Sequence, residues 1–233
     1  MTTETSLSQP DVVRPITLRG SGEQAAIHIR KLIFMGELRP GTRLPQDQIA
    51  KELGISRIPV REAIVALERE GWLTTKFHHG AFVNTFDEDT IRDHYDLFGL
   101  VYGLATRRAM RRQDPELLPG LAKIARLVAD TDDPTEVERL AISFHSTIVD
   151  AAQSPRIRLV LRAMSALVPG PFFVLVPEAI APERKGLAAI VRAMKKGDEE
   201  RAVKEYARTL SQQGEFVVEL FRQHDLLGSD QND

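Results

Sequence analysis

Apolar residues recur along this chain with two different periods, and the change between them divides it. From Ser21, Ala25, Ile29, Leu32 and Ile33 fall at the i, i+4, i+7, i+8 spacing of one helical face, and Gly36 follows where a left-handed terminator belongs. Pro40 and Gly41 predict a turn. Ile49, Ala50 and Leu53 then predict a short second helix that stops at Gly54. A third helix is expected from Ser56, a good N-cap, through a buried stripe of Val60, Ala63, Ile64 and Leu67 to Gly71. Pro59 is tolerable there because first-turn N–H groups have no intrahelical acceptor to lose. The period then shortens. Leu73–Phe77 and Ala81–Phe86 are rich in Thr, Phe and Val and flank His78, His79 and Gly80, which predicts a β-hairpin with a three-residue loop.

From Asp87 onwards strand signals vanish, and helical segments follow one another with breaks near Asp114–Pro115, Asp132–Pro134, Ser154–Pro155, Pro169–Pro182 and Gly197–Asp198. The expected fold is mainly α. A winged helix-turn-helix of three helices and a hairpin occupies 20–86, and an all-α bundle of about six helices occupies 87–226. Residues 1–19 and 227–233 read as a disordered arm and tail.

Composition narrows the chemistry. The 233 residues include no Cys, which excludes disulfides, thiolate metal sites and thiol nucleophiles and fits a cytoplasmic protein. The longest apolar stretch, 166–182, is broken by Pro169, Pro171 and Pro177, and the polar start lacks a signal-peptide pattern, so no membrane association is expected. The net charge of −2 hides an asymmetry: residues 1–86 carry 11 basic and 9 acidic side chains, residues 87–233 carry 20 and 24. The front leans towards phosphate and the rear away from it.

A short helix, a Gly-containing turn and a capped helix opening with two arginines is the pattern whose second helix enters the DNA major groove. Arg57 and Arg61 lie four apart on one face, opposite the apolar stripe, where guanidinium can grip a guanine edge or a phosphate. His79 and Gly80 at the hairpin tip can approach the minor groove, and Lys76 can reach phosphate. Arg43 in the preceding turn and Ser56 at the cap complete the candidate DNA contacts. The competing reading has the arginines paired with Glu62 or Glu68 on a solvated surface. His78 and His79 make a poor metal pair, because adjacent side chains diverge.

Residues 36–73, GELRPGTRLPQDQIAKELGISRIPVREAIVALEREGWL, and HHGAFV at 78–83 resemble the winged helix-turn-helix of GntR-type bacterial transcription regulators. The helical rear is similar to the FadR-like ligand-sensing domain of that family. The resemblance implies contacts of Arg57, Arg61, His79 and Gly80 with double-stranded DNA, a homodimer on a two-fold related operator, and a small-molecule effector inside the bundle. Gln48 stands where relatives often carry a further arginine. Relatives frequently hold a divalent metal with an Asp and three His. Here only His145 survives, with Ala141, Leu187 and Thr209 at the other places, so no metal and no cofactor are expected. An inward Arg and Glu of relatives are replaced by Phe98 and Tyr102.

Ile91, Tyr95, Phe98 and Tyr102 follow one helical face, so an aromatic wall replaces a charged one. Tyr95, Phe98, Tyr102 and His145 are therefore the candidate effector contacts, favouring a mostly apolar or acyl molecule. The plainer reading is that these rings fill core. The expected function is a DNA-binding transcription regulator controlled by that effector. Two alternatives stand beside it: an effector-blind dimeric DNA-binding protein, and a DNA-tethered enzyme. Catalysis is not expected, because His145 and Asp150 lie five apart, off a shared face, and no phosphate loop or serine elbow appears.

Overall fold

The computed structural model describes residues 20–164, 167–168 and 170–228. The expectations for residues 1–19 and 229–233 lie outside these. The front unit contains α1 (Ser21–Phe34), α2 (Gln46–Glu52) and α3 (Arg57–Arg69), followed by the antiparallel strands β1 (Leu73–Lys76) and β2 (Gly80–Val83). The stripe of α3 is buried as its period requires, with Val60, Ala63, Ile64 and Leu67 packed inward. Gly36, Gly54 and Gly71 each take a positive φ where a helix ends, a conformation that costs other residues steric strain.

Three details differ from the sequence reading. The hairpin turn is Phe77–His79 rather than 78–80. Gly80 belongs to β2 and pairs with Lys76, while His78 takes the left-handed conformation at φ 61°. Ser56 occupies the N-cap of α3, but its side chain accepts no cap hydrogen bond. Residues 227–228 are not a loose tail: Gly228 N donates to Phe86 O at 2.9 Å, and Phe86 N donates to Leu226 O at 2.9 Å. Backbone groups of Leu226 and Gly228 that no helix satisfies find partners here in the segment joining the two halves.

The rear contains α4 (Glu88–Arg112), α5 (Leu117–Asp130), α6 (Pro134–Ala152) and α7 (Pro155–Ala163). After these come the short α8 (Phe172–Leu175), a 3₁₀ turn (Pro177–Ala179), α9 (Ile180–Lys195) and α10 (Glu199–Gln223). Six longer helices thus form the bundle, and its starts are chemically specified. Asp87, Asp133 and Asp198 each accept hydrogen bonds from first-turn N–H groups of α4, α6 and α10, and Pro134 and Pro155 stand at the first positions of α6 and α7. The long helices α4 and α10 approach closely because small residues line the crossing. A Cβ on Gly99 would lie 2.9 Å from Ala207 Cα, and one on Gly103 would lie 2.8 Å from Val203 Cγ1.

An aromatic cluster ties the halves together. Phe34 of α1, Trp72 after α3, Phe86 of the connecting segment and Phe221 of α10 are all buried. Phe86 packs edge-on against Trp72 and Phe221, both at 4.9 Å between ring centroids.

Candidate nucleic-acid interface and buried polar cluster

The α2–turn–α3 unit exposes the candidate arginines. Arg57 and Arg61 are both solvent-exposed, and Arg61 makes no hydrogen bond or ion pair among the described residues. Arg57 pairs with Asp47 of α2, Nε to Oδ1 at 2.7 Å, rather than with Glu62 or Glu68. Both members of that pair are about two-thirds exposed, so the attraction is screened and easily exchanged for phosphate. Residues 41–44 run beside β2, with Leu44 N donating to Ala81 O and Val83 N to Thr42 O, which fixes Arg43 against the wing. The Arg43 guanidinium lies so close to Gly80 that a Cβ there would meet its Nε at 3.0 Å. Arg43, Gln48, Arg57 and Arg61 consequently line one open concavity of about 540 Å³. Gln48, at the place of the relatives' arginine, donates to Glu52 at 2.8 Å.

His79 is exposed in the wing turn, and Lys76 is exposed with Nζ 5.0 Å from the Phe82 ring centroid. The sequence reading missed three apolar groups on this surface. Ile58 (67% exposed) and Val65 (49%) share the outer side of α3 with Arg61, and Phe77 (85%) stands at the wing tip. Their spacing held a signal: 58, 61 and 65 form a second face, opposite the buried stripe.

In the bundle the structure brings three of the four candidate effector residues together. Phe98 and Tyr102 meet edge to face at 5.2 Å, and Tyr102 lies 5.1 Å from the His145 ring. Tyr95 sits two turns before Tyr102 on α4, against Gly214 of α10, where a Cβ would come within 2.9 Å of its own. The centre is more polar than its sequence suggests. Tyr206 of α10 is fully buried, stacks on Tyr102 at 5.2 Å and 6°, and places its hydroxyl 2.5 Å from His145 Nδ1. Glu183 of α9, 1% exposed, accepts from Gln213 Nε2 at 2.7 Å through Oε2. Its Oε1 has no hydrogen-bond partner and faces His145 Nε2 at 3.7 Å. A Tyr206 hydroxyl that donates to Nδ1 leaves the ring proton on Nε2, aimed at this orphan oxygen.

Burial sets the charge states. Desolvation pushes the His145 imidazole down to about 4, so it is neutral at neutral pH. Burial raises the Glu183 carboxyl to about 7 against the hydrogen bond from Gln213, and the nearby Glu138 adds to the rise. Tyr102 is raised to about 12 and Tyr206 well above the usual phenol value, again by desolvation. Glu183 was missed as one polar residue inside an otherwise apolar buried stripe, and Tyr206 and Gln213 as members of a mixed face of α10 that also carries Thr209. In α9 that stripe is Ile180, Glu183, Leu187 and Ile190, and the polar interruption was the available signal.

The family's metal set does not fit these residues. Ala141 and Leu187 are buried and apolar, Thr209 donates its hydroxyl to Glu205 O at 2.8 Å, and both His145 nitrogens face Tyr206 and Glu183. Among the described residues no group of three or more His, Asp or Glu is placed to hold a metal ion.

Residues 21–83 match the family described as bacterial regulatory proteins, gntR family, and residues 93–212 match the FCD domain, about half of the chain. The chain belongs to the GntR family, with an FCD domain behind its winged helix. The sequence is 34% identical over 152 residues to an uncharacterised HTH-type transcriptional regulator of Mycobacterium tuberculosis (strain ATCC 25618 / H37Rv). That match covers 65% of this chain and 62% of the relative, a little under two thirds of its length. It is 28% identical over 160 residues to the gluconate operon transcriptional repressor of Bacillus subtilis (strain 168), covering 66% of this chain and 65% of the repressor. Among solved structures, E. coli McbR/YncC superposes with a TM-score of 0.58 at 20% identity, covering 88% of this chain and 98% of that one. A putative GntR regulator from Rhodococcus sp. RHA1 gives 0.55 at 23%, covering 85% and 97%. These likenesses carry the fold of the GntR chain. Its matched families and curated relatives are regulators, not enzymes. No helix among the described residues is long and apolar enough to cross a membrane.

Proposed function

We propose that the chain is a dimeric, cytoplasmic transcription regulator. In this reading residues 20–86 bind a two-fold related operator, and residues 87–226 dimerise and bind a small effector. The carrying observation is the outward-facing group of Arg43, Arg57 and Arg61 around one concavity at the start of α3. Arg61, unpaired and exposed, is the base-reading candidate, and Arg57 and Arg43 are phosphate contacts. His79, Gly80 and Lys76 bring the wing to the flanking groove, Ser56 donates to backbone phosphate, and exposed Ile58 suits a thymine methyl.

The experiment is operator binding by Arg61→Ala measured against salt. Affinity is expected to fall about ten- to a hundredfold, with a shallower salt slope if the guanidinium also neutralises a phosphate. Near-wild-type affinity with an unchanged slope overturns the assignment.

The effector reading rests on Tyr95, Phe98 and Tyr102 as an apolar wall and on His145 as its polar end. A mostly apolar or acyl molecule is the class this favours. Tyr206, part of the same cluster, and Phe221, part of the aromatic junction, both lie on α10, about 22 Å apart along that one helix. Ligand-driven displacement of α10 would therefore reach the winged helix directly, lowering operator affinity by the effector's preference for the displaced state. A thermal-shift series with fatty acids, acyl-CoA esters and small carboxylates tests it, a concentration-dependent rise being expected from the acyl class. The parallel stacking of Tyr102 on Tyr206 favours a second reading, in which the rings fill their own space and the bundle only dimerises. Absence of any shift supports that one.

A further inference from the structure

One residue of the wing is out of keeping with the rest of its hairpin. Within residues 73–83, Leu73, Ala81 and Val83 are buried and Phe82 is half-buried, with Lys76 Nζ 5.0 Å from its ring centroid. Phe77 at the tip is 85% exposed. Its ring meets the His78 imidazole at 4.0 Å between centroids and 62°. His78 holds the left-handed conformation, and His79 N donates to Lys76 O at 2.9 Å, so the turn that carries the ring is closed. The hairpin below it is braced on both edges. Thr75 N of β1 donates to Glu68 Oε1 of α3 at 2.8 Å, and β2 is bridged at Phe82 by Arg43. The ring therefore has a set position relative to α3.

Charge says what such a ring can enter. Residues 71–86 contain no Asp or Glu. Lys76, His78 and His79 are exposed around the ring. Gly80, the cross-strand partner of Lys76, lies against the Arg43 guanidinium that lines one concavity with Arg57 and Arg61. The tip thus belongs to the same surface as the arginines. An apolar plane framed by cations and donors matches a groove with walls of phosphate and sugar and a floor of stacked bases. We infer that Phe77 is a specificity-determining residue, an apolar wedge that enters the minor groove beside each half-site and partly unstacks one base step. This rests on the DNA-binding reading and adds a second kind of readout to it. Arg61 reads base edges, whereas a wedge reads how easily a step opens, and pyrimidine–purine steps open most readily. An uncharged ring adds affinity without releasing counterions.

Selection of sites from a random duplex library by the full chain tests the wedge, with wild type, Phe77→Ala, Phe77→Leu and Arg61→Ala run side by side. Wild type is expected to enrich a pyrimidine–purine step at a fixed distance outside the half-site core. Phe77→Ala keeps the core and loses the preference at that step, and Phe77→Leu, still an apolar wedge, keeps part of it. On the selected duplex, Phe77→Ala is expected to bind about tenfold more weakly with an unchanged salt slope. With 2-aminopurine at the step, wild type should raise its fluorescence severalfold on binding and Phe77→Ala should not. Because residue 77 is exposed, the circular dichroism and melting temperature of the variants should match wild type. A wild-type site without the flanking step, or a 2-aminopurine signal that Phe77→Ala leaves intact, overturns the wedge. Altered sedimentation of Phe77→Ala with unaltered DNA binding overturns it too, making the ring a protein contact. No enriched sequence for wild type overturns the DNA-binding reading itself.

Discussion

At the scale of single residues, the same environment moves two groups in opposite directions. His145 and Glu183 face one another at 3.7 Å in the bundle, with Tyr206, Gln213 and Glu138 as their polar neighbours, and burial disfavours the charged form of each. A carboxyl raised to about 7 binds its proton more tightly folded than unfolded, so its contribution to stability falls as pH rises from about 4.5 to 7. An imidazole lowered to about 4 has the reverse effect, adding stability as pH rises from about 4 to 6.5. In the wild type the two slopes oppose each other over most of that range. Glu183→Gln removes the falling one, so denaturant titrations should show the variant gaining on wild type by on the order of 2 kcal/mol between pH 4.5 and 7. Parallel pH profiles for the two proteins would show that Glu183 is ionised in the fold throughout. The Arg57–Asp47 pair belongs to the opposite class: exposed on both sides, it stabilises little and leaves the guanidinium available.

At the scale of elements, the inner sides of α4 face α10 and α6, and residue size decides how closely each neighbour approaches. The α10 side is cut back to Gly99 and Gly103, so the two longest helices run at close range. Gly99→Val puts a branched Cβ 2.9 Å from the Ala207 backbone and should destabilise the chain by about 2–3 kcal/mol in chemical unfolding. Gly120 of α5 is the control. Nothing lies within 4 Å of a Cβ there, so Gly120→Ala should stabilise by about 0.5–1 kcal/mol through helix propensity alone. Equal losses from both substitutions would mean that the α4–α10 distance is not set by the glycine. In the hairpin, the one-residue difference in the turn follows from conformation. His78 takes the left-handed position and Gly80, also at positive φ, is free to pair with Lys76 beside the Arg43 side chain.

At the scale of the whole molecule, the winged helix and the bundle share a core. Phe34, Trp72, Phe86 and Phe221 come from four separate segments, and the 226–228 segment hydrogen-bonds both backbone groups of Phe86. Phe221→Ala removes the ring common to three of these contacts. It should cost about 3–5 kcal/mol and split one calorimetric transition into two, as the halves lose their coupling. A single transition at lower temperature would place the coupling elsewhere, along the cleft where Arg30 holds Glu70 near Glu138 and Ile142. One helix, α10, carries Tyr206 of the buried polar cluster at one level and Phe221 of the aromatic junction with the winged helix at another.

Much of this was legible in the chain itself, because it depends on local periodicity. The buried stripe of α3 obliges Arg57 and Arg61 to face outward, the Asp and Pro starts mark α4, α6, α7 and α10, and Gly54 and Gly71 mark stops. The family likeness came through the same local patterns. What tertiary structure alone decided are relations between distant segments. It paired Arg57 with Asp47, brought Glu183, Tyr206 and Gln213 to His145 from α9 and α10, and closed Phe86 between Trp72 and Phe221. Helical period states which side of an element is buried, but not which element covers it, and a lone polar residue on a buried side acquires its partner only when the neighbouring helix arrives.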